Sequence, residues 1–214
     1  MGKVVLTYWP LRGLGQHILW ILEQGKIEYE FRPMNGQLWG TEKPTLDMDF
    51  PNLPYLVDGD IKISESVAIC KYLAKKCGLF PSTDAEVISS DIAEGVVQDF
   101  KMAFFKLVFN PNYDEEKEKY PEQVKTKLAY FEKALGKRNW LAGDRVTWVD
   151  LVFYECLDVN SMYIPGLLDS MPNLNAYKGR VEALDGISAY RASDRFKAYP
   201  VTGGSAKWGI TPSE

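Results

Sequence analysis

Residues 50–66, with the sequence FPNLPYLVDGDIKISES, decide the predicted fold because they contain two short strands and the start of a helix. The strands are expected at 55–57 and 62–63. Between them lies Asp58-Gly59, a pair typical of the tight turn that joins antiparallel strands. From Ser66 the sequence takes on helical spacing, which ends before Gly78. The stretch therefore predicts an antiparallel hairpin followed directly by a helix.

Upstream of this hairpin the sequence predicts a strand, a helix and a second strand. Residues 4–7 form a short apolar run, 14–23 (LGQHILWILE) have helical spacing, and the side chains of 27–32 alternate. Residues 35–49 are polar, contain glycine and proline, and are predicted to be irregular. The order strand, helix, strand, loop, strand, strand, helix is the thioredoxin-like α/β arrangement.

Downstream of Pro81 the patterns are helical. Thr83-x-x-Glu86 predicts a capping box that opens a long helix ending near Phe109. Another helix is expected between residues 121 and 136, and Thr147-x-x-Asp150 repeats the capping pattern. No strand of comparable clarity follows, so this part of the chain is predicted to be all-helical.

The 214 residues are enough for two modest domains, predicted at 1–81 (thioredoxin-like) and 82–214 (all-helical). A net charge of −4 at pH 7 argues against nucleic acid or an anionic membrane as a partner. No apolar run approaches the length of a membrane-spanning helix, and the N-terminus does not have the pattern of a signal peptide. A cytoplasmic location is therefore expected.

Cysteine and histidine usage argues against metal and disulfide chemistry. Cys70 and Cys77 fall on one predicted helix, about 10 Å apart along its axis, which is too far for a disulfide. Cys156 lies among apolar residues, where a buried structural thiol is expected. His17 is the single histidine, and the chain lacks both a Gly-x-Ser-x-Gly elbow and a Cys-x-x-Cys motif. We therefore expect no metal, no tightly bound cofactor and no thioredoxin-type redox reaction.

Several motifs, in one order and spacing over nearly the whole chain, resemble cytosolic glutathione transferases of the mu class. They are Tyr8-Trp9-Pro10-Leu11-Arg12-Gly13-Leu14, Phe50-Pro51-Asn52-Leu53-Pro54-Tyr55, Ser64-Glu65-Ser66, Leu141-Ala142-Gly143-Asp144, Thr147-x-x-Asp150 and Pro172-Asn173-Leu174. The resemblance implies a detoxifying enzyme that uses glutathione as co-substrate and conjugates its thiolate to small hydrophobic electrophiles. Two alternatives on the same fold stay open: a glutathione-dependent isomerase or peroxidase, and a non-catalytic carrier of hydrophobic ligands.

The resemblance assigns the catalytic role to Tyr8, whose phenol would donate a hydrogen bond to the sulfur of glutathione. A hydrogen bond to a charged group contributes about 1.5–3 kcal/mol, which would lower the pKa of the thiol by about one to two units. The thiolate, which is the nucleophile, would then be abundant at neutral pH. Without the resemblance, Tyr8 is equally well explained as a core tyrosine at the end of a strand.

The resemblance also implies a binding site for each part of the tripeptide. Glu65 and Ser66, at the start of a helix, would hold the γ-glutamyl end. Leu53, before a proline in the cis form, would pair with the cysteinyl backbone. Trp39 and Lys43 would hold the glycyl end. The predicted glutathione contacts are Trp9, Leu14, Trp39, Lys43, Asn52, Leu53, Pro54, Glu65 and Ser66.

Alternatives to these roles stay open when each residue is considered alone. Ser66 also fits an ordinary helix cap, Lys43 a solvated loop lysine and Pro54 an edge-strand proline. Two features depart from the mu pattern: Glu65 stands where glutamine is usual, and the segment 35–49 is short, without part of an insertion.

The electrophile is expected in an apolar pocket, for which the resemblance implies Leu11, Met102, Phe105, Phe109 and Thr202, with Gly203. Phe109 replaces a tyrosine that assists epoxide opening in many mu-class enzymes, so aryl halides are expected to be better substrates than epoxides. Leu19 replaces an arginine common in the first helix of the fold, and the sequence offers no functional account of that change.

The resemblance further implies a homodimer with two composite active sites. Phe50, an aromatic residue before a proline, corresponds to the side chain that enters a pocket between helices of the opposite subunit. Asp99 falls where the partner subunit directs a carboxylate toward the amino group of glutathione, although a surface acid on a helix explains it equally well.

Overall fold

In a computed structural model, which describes residues 3–211, a four-stranded sheet with its helices is followed by a helical bundle. The elements of the sheet-containing part are β1 (Val4–Tyr8), α1 (Gln16–Gln24), β2 (Tyr29–Pro33), α2 (Gly36–Glu42), a 3₁₀ turn (Lys43–Thr45), β3 (Tyr55–Asp58), β4 (Ile61–Ser64) and α3 (Ser66–Lys76). The helices that follow are α4 (Asp84–Val108), α5 (Tyr113–Glu116), α6 (Tyr120–Leu135), α7 (Trp148–Tyr163), α8 (Pro172–Glu182) and α9 (Asp185–Arg191).

The strand order in the sheet is β2-β1-β3-β4. β1 and β2 run parallel, with Tyr8 opposite Pro33, and the other two pairings are antiparallel. The carboxyl ends of β1 and β2 therefore meet at one edge of the sheet, the position at which α/β sheets commonly bind ligands. This topology and the helices after it confirm the predicted fold class, whereas the exact domain boundary at residue 81 stays a prediction.

Helix α7 forms the centre of the helical part, since every residue from 148 to 160 is buried. It packs against α1, α3, α4 and α8. Its first turn is fixed by Asp150, whose carboxylate accepts hydrogen bonds from the N–H groups of Leu141 and Thr147, both at 2.8 Å. The capping boxes predicted for α7 and α4 are both present.

Arg12 connects the two parts of the molecule. Its guanidinium is buried and lies 2.7 Å from Glu155 Oε2 and 2.7 Å from Asp158 Oδ2, both on α7. Trp20 Nε1 donates a further bond of 2.8 Å to Glu155. Because buried charges are tolerated only when they are paired and hydrogen-bonded, these contacts fix the loop between β1 and α1 onto the central helix.

The segment 35–49, predicted as irregular, contains α2 and a 3₁₀ turn instead, so that prediction is wrong. Asn35 caps α2 by accepting a 2.9 Å bond from the N–H of Leu38. Glu42, at its other end, forms a 2.5 Å ion pair with Arg32 of β2 and accepts a hydrogen bond from the hydroxyl of Tyr55. Contacts with the sheet stabilise this glycine-containing helix. The sequence pattern of the segment itself does not reveal those contacts.

Three further findings concern the described residues alone. The cysteines at 70, 77 and 156 are free thiols. No three His, Cys, Asp or Glu side chains within 3–211 are grouped so that they could hold a metal ion. No helix in this range has both the length and the apolar character needed to cross a membrane.

Candidate functional site

An open, mainly apolar cavity of about 690 Å³ lies where β1 ends and the chain turns toward α1. We call it the Tyr8 cavity. The ends of β1 and β2 form one wall, the C-terminal end of α4 forms a second, and the tail around residue 203 forms a third. Its lining residues are Tyr8, Trp9, Pro10, Leu11, Gly13, Leu14, Met34, Asn35, Phe105, Phe109, Thr202, Gly203 and Gly204.

Tyr8 lines this cavity, and its phenol has a defined protonation state. The residue is 6% exposed, and Tyr8 Oη accepts a 2.9 Å hydrogen bond from the N–H of Leu14. Burial raises the pKa of the Tyr8 phenol, although the bond from Leu14 acts in the opposite direction. The phenol is therefore protonated at neutral pH. Because its oxygen already accepts a bond, its proton can be donated to an acceptor in the cavity.

Two glycines have no side chain and so provide the space that the ring of Tyr8 occupies. A Cβ atom on Gly13 would lie 2.7 Å from Tyr8 Oη, and one on Gly15 would lie 2.6 Å from Tyr8 Cδ1. Both distances are shorter than carbon atoms tolerate. The glycines of the Tyr8-to-Gly15 segment thus have a steric role: they allow the phenol to lie against the start of α1.

The structure brings six of the predicted site residues into one apolar cluster. Its members include Tyr8, Trp9, Leu11, Leu14, Trp39 and Leu53. Trp39 stacks on Tyr55 with 6.5 Å between ring centroids, and Lys43 Nζ lies 5.7 Å from the centroid of Trp39. The two residues predicted to hold the glycyl end are therefore side by side, Trp39 on α2 and Lys43 in the 3₁₀ turn that follows it.

A polar group forms where β4 passes into α3. Asn52 Nδ2 donates to Glu65 Oε1 at 3.2 Å, and Ser66 is buried at the first position of α3. Within 3–211 no side chain caps α3, so its N-terminal N–H groups and the positive end of its dipole are available to an anion. The Leu53–Pro54 peptide is cis, as predicted.

Two predictions about this site need correction. The N–H of Leu53 was expected to be free for a ligand, yet it donates to Asn52 Oδ1 at 2.9 Å. In this conformation the N–H of Leu53 is therefore not free to pair with a peptide. Met102 was expected to line the pocket. It is exposed on α4, one turn before Phe105, and the cavity does not extend that far.

Sequence reasoning also missed several lining residues. Met34 and Asn35 are the clearest case, because they directly follow β2 as Trp9 directly follows β1. The parallel pairing of β1 and β2 places both strand ends at the same edge, and that rule could have identified them. Asp99 is exposed on α4, so its predicted role depends on a second subunit.

Comparisons with known proteins agree with this geometry. Residues 4–75 match the family model for the glutathione S-transferase N-terminal domain, and residues 98–194 match that for the C-terminal domain. The chain is 41% identical to glutathione S-transferase Mu 5 of Mus musculus, covering 97% of this chain and 96% of that protein. It is 39% identical to glutathione S-transferase Mu 3 of Homo sapiens, covering 99% and 97%.

A solved structure shows the same agreement in three dimensions. The crystal structure of the glutathione S-transferase Blo t 8 superposes with a TM-score of 0.88 at 31% identity, covering 96% of this chain and 99% of that one. These matches confirm the resemblance seen in the sequence, and the chain therefore belongs to the glutathione S-transferase family.

Proposed function

We propose that this protein conjugates glutathione to hydrophobic electrophiles and that Tyr8 activates the thiol. The observation that supports this proposal most directly is the hydrogen bond from the N–H of Leu14 to Tyr8 Oη at 2.9 Å. This bond directs the phenolic proton away from the backbone. A buried, protonated phenol is suited to stabilise a thiolate as a donor, not to remove its proton as a base. The thiol proton leaves to solvent.

Glutathione is proposed to lie across the polar group and the apolar cluster. Its γ-glutamyl carboxylate meets the start of α3 beside Ser66, while Glu65 takes the ammonium group. Its glycyl carboxylate pairs with Lys43 beside Trp39. Leu53 supplies the backbone groups for the cysteinyl residue once Asn52 has turned away. The sulfur then lies next to Tyr8.

The electrophile is proposed to occupy the apolar part of the Tyr8 cavity. Leu11, Phe105, Phe109 and Thr202 line it. With an aryl chloride, the thiolate attacks the ring carbon, a carbon–sulfur bond forms, and the carbon–chlorine bond breaks with loss of chloride. The hydroxyl of Thr202 already donates to the carbonyl of Trp208, and Phe109 has no hydroxyl. This is consistent with the expected preference for aryl halides over epoxides.

The experiment is the conjugation of glutathione to 1-chloro-2,4-dinitrobenzene by the native protein and by Tyr8→Phe. We expect kcat/KM at neutral pH to fall about 10- to 100-fold, since one charge-assisted hydrogen bond is lost. The pKa of the bound thiol, measured from thiolate absorbance, should rise by about one to two units. Tyr130→Phe, at an exposed position on α6, is the matched control and should behave as the native protein.

Equal rates for the native protein and Tyr8→Phe would contradict the role of Tyr8. Calorimetry with glutathione separates binding from chemistry. Retained binding without conjugation by the native protein would favour the carrier alternative, and absence of binding would contradict the proposed glutathione site.

The protein is further proposed to act as a cytoplasmic homodimer. The support for the dimer is a set of exposed apolar side chains: Phe50 is 77% exposed, and Ile88 and Ile92 are exposed on successive turns of α4. Free thiols are consistent with a reducing compartment.

A further inference from the structure

A small cavity of about 20 Å³, the space of about one water molecule, adjoins the Tyr8 cavity. We call it the Lys101 cavity. Gly13 and Phe105 line both spaces, so they form the wall between them. The other walls come from α4, from α7 and from Val201 in the tail.

The wall between the two cavities is one layer of residues. Gly13 lies next to the phenol, because a Cβ atom on it would meet Tyr8 Oη, and it also borders the Lys101 cavity. Phe105 follows Lys101 by one turn of α4, so the two side chains are neighbours on the helix. Lys101 therefore lies directly behind the place proposed for the sulfur of glutathione.

Lys101 is a buried cation. The residue is 7% exposed and belongs to the buried face of α4. In the part of the chain that the structure describes, no carboxylate oxygen lies within 4.0 Å of its ammonium nitrogen. Glu94, two turns earlier on α4, is half-buried and forms no ion pair with it. A buried charge without a close partner is poorly screened and acts over a longer range than a surface charge.

The carboxylates of α7 have cationic partners of their own. Glu155 lines the Lys101 cavity, but it accepts bonds of 3.0 and 2.7 Å from Arg12. Asp158 also pairs with Arg12 at 2.7 Å, and it has Lys178 at 3.5 Å and Arg191 at 3.6 Å. These carboxylates are therefore compensated without the lysine of α4.

The other titratable groups near Lys101 are uncharged at neutral pH. Burial and the charge of Lys101 hold the pKa of His17, on α1, well below its usual range. Burial raises the pKa values of the Cys70 and Cys156 thiols, on α3 and α7, to about 12, although Lys101 acts in the opposite direction. The charge of Lys101 thus affects three neighbouring helices, and none of these three groups compensates it.

We infer that Lys101 stabilises the thiolate of bound glutathione by its charge, acting across Gly13 without touching the sulfur. The inference rests on the proposed function, in which the sulfur lies next to Tyr8. A positive charge near a thiolate favours the ionised form and lowers the pKa of the thiol. A unit charge in partly buried surroundings shifts the pKa of a group about 10 Å away by about half to one unit. This effect adds to that of the hydrogen bond from Tyr8.

The test is a pH titration of the thiolate absorbance of bound glutathione in the native protein and in Lys101→Met, whose side chain has similar length and no charge. The pKa of the thiol should rise by about half to one unit in the variant. With 1-chloro-2,4-dinitrobenzene, kcat/KM should fall about three- to tenfold at pH well below that pKa. At pH well above it, kcat/KM should approach the native value, because the thiol then ionises without help.

Three controls separate charge from structure. Lys106→Met, at an exposed position on the same helix, should leave the thiol pKa unchanged. Lys101→Arg keeps the charge and should keep the native thiol pKa. S-methylglutathione, which has no thiol to ionise, should bind the native protein and Lys101→Met with equal affinity in calorimetry. If Lys101→Met does not fold, Lys101→Gln, also uncharged, replaces it and should give the same rise.

An unchanged thiol pKa in the uncharged variants would overturn the inference, as would a loss of kcat/KM that is equal at every pH. Weaker binding of S-methylglutathione with an unchanged thiol pKa would leave Lys101 a structural role alone. If the native protein shows no thiolate absorbance with glutathione, the proposed function fails. A thiolate signal that is present and has the same pKa in native protein and variants contradicts only the role of Lys101.

Discussion

Glu65 has a backbone conformation that residues with a side chain rarely adopt. Its φ is +69° and its ψ is 115°, directly before α3. Such a conformation costs about 1–3 kcal/mol and persists only where the surroundings enforce it. Here it directs the carboxylate toward Asn52 and leaves the N-terminus of α3 uncapped. The strain is thus located at the proposed γ-glutamyl site, which suggests that binding, not stability, requires it.

The corresponding prediction concerns Glu65→Gly. Glycine adopts positive φ without steric cost, so the free energy of unfolding should stay within about 1 kcal/mol of the native value. The KM for glutathione should rise about tenfold, because the group that holds the ammonium is lost. Urea unfolding and steady-state kinetics measure the two effects. Glu65→Gln, whose side-chain oxygen can still accept a hydrogen bond from the ammonium group, is the control and should retain most of the affinity. An unchanged KM in Glu65→Gly would contradict a role of Glu65 in binding glutathione.

At the scale of elements, two capping boxes of similar pattern differ in their surroundings. The box of α4, formed by Thr83 and Glu86, is exposed. In the box of α7, buried Asp150 accepts from two backbone N–H groups, from the hydroxyl of Thr147 at 2.9 Å and from the hydroxyl of Tyr177 at 3.2 Å. Removal of a buried acceptor leaves each of its donors unpaired away from water.

We therefore predict that Asp150→Ala destabilises the protein far more than Thr83→Ala. The expected losses in the free energy of unfolding are about 3 kcal/mol or more for Asp150→Ala and about 1 kcal/mol for Thr83→Ala. Urea unfolding at one fixed protein concentration measures both, which keeps any association between chains constant. Equal losses would mean that the buried network around α7 contributes no more than a surface cap.

Local patterns predicted most of the elements because each is encoded within a few residues. The turn at Asp58-Gly59 and the capping boxes of α4 and α7 are examples. Helix α2 could not be predicted in this way. It contains two glycines, which disfavour a helix. The helix is stabilised by the contact of Glu42 with Arg32 and Tyr55, which lie outside it in the sequence.

The family resemblance, not the strand pattern, pointed to Tyr8 and Trp9 after β1. The end of the parallel strand β2 could have identified Met34 as a further lining residue. Met102 was misplaced because a helix face is continuous, whereas the cavity reaches only the last turn of α4. The bond between the N–H of Leu53 and Asn52 depends on a side-chain rotamer, which no sequence pattern specifies.

At the scale of the whole molecule, one loop connects the two parts of the chain. Arg12 ties residues 9–14 to α7, while Pro10 and Leu11, next to it, line the Tyr8 cavity. Because Leu14 of the same loop donates to Tyr8, the position of the phenol depends on the contact between the sheet and the helical bundle. The proposed catalytic group is therefore positioned by the complete fold and not by β1 alone.

Exposed apolar side chains lead to a prediction about assembly. Phe50 lies near the start of β3, and Ile88 and Ile92 lie on α4, so both parts of the chain expose large apolar side chains. In a symmetric dimer two copies of Phe50 would be buried, one from each subunit. Phe50→Ala should raise the dissociation constant of the dimer at least about thirtyfold, since a buried aromatic anchor contributes about 2 kcal/mol or more. Sedimentation velocity over a dilution series measures this change, and Tyr130→Ala, at an exposed tyrosine on α6, is the control.

The same dilution series tests whether Asp99 acts across the interface. If its carboxylate completes the glutathione site of the opposite subunit, the KM for glutathione of Phe50→Ala should rise as the protein is diluted and the dimer dissociates. In Asp99→Ala the KM should be raised already in the intact dimer, because the carboxylate no longer attracts the ammonium group of the ligand. A native protein that sediments as a monomer at all concentrations would contradict the dimer. A KM that is independent of dilution while Phe50→Ala dissociates would show that each subunit binds glutathione alone.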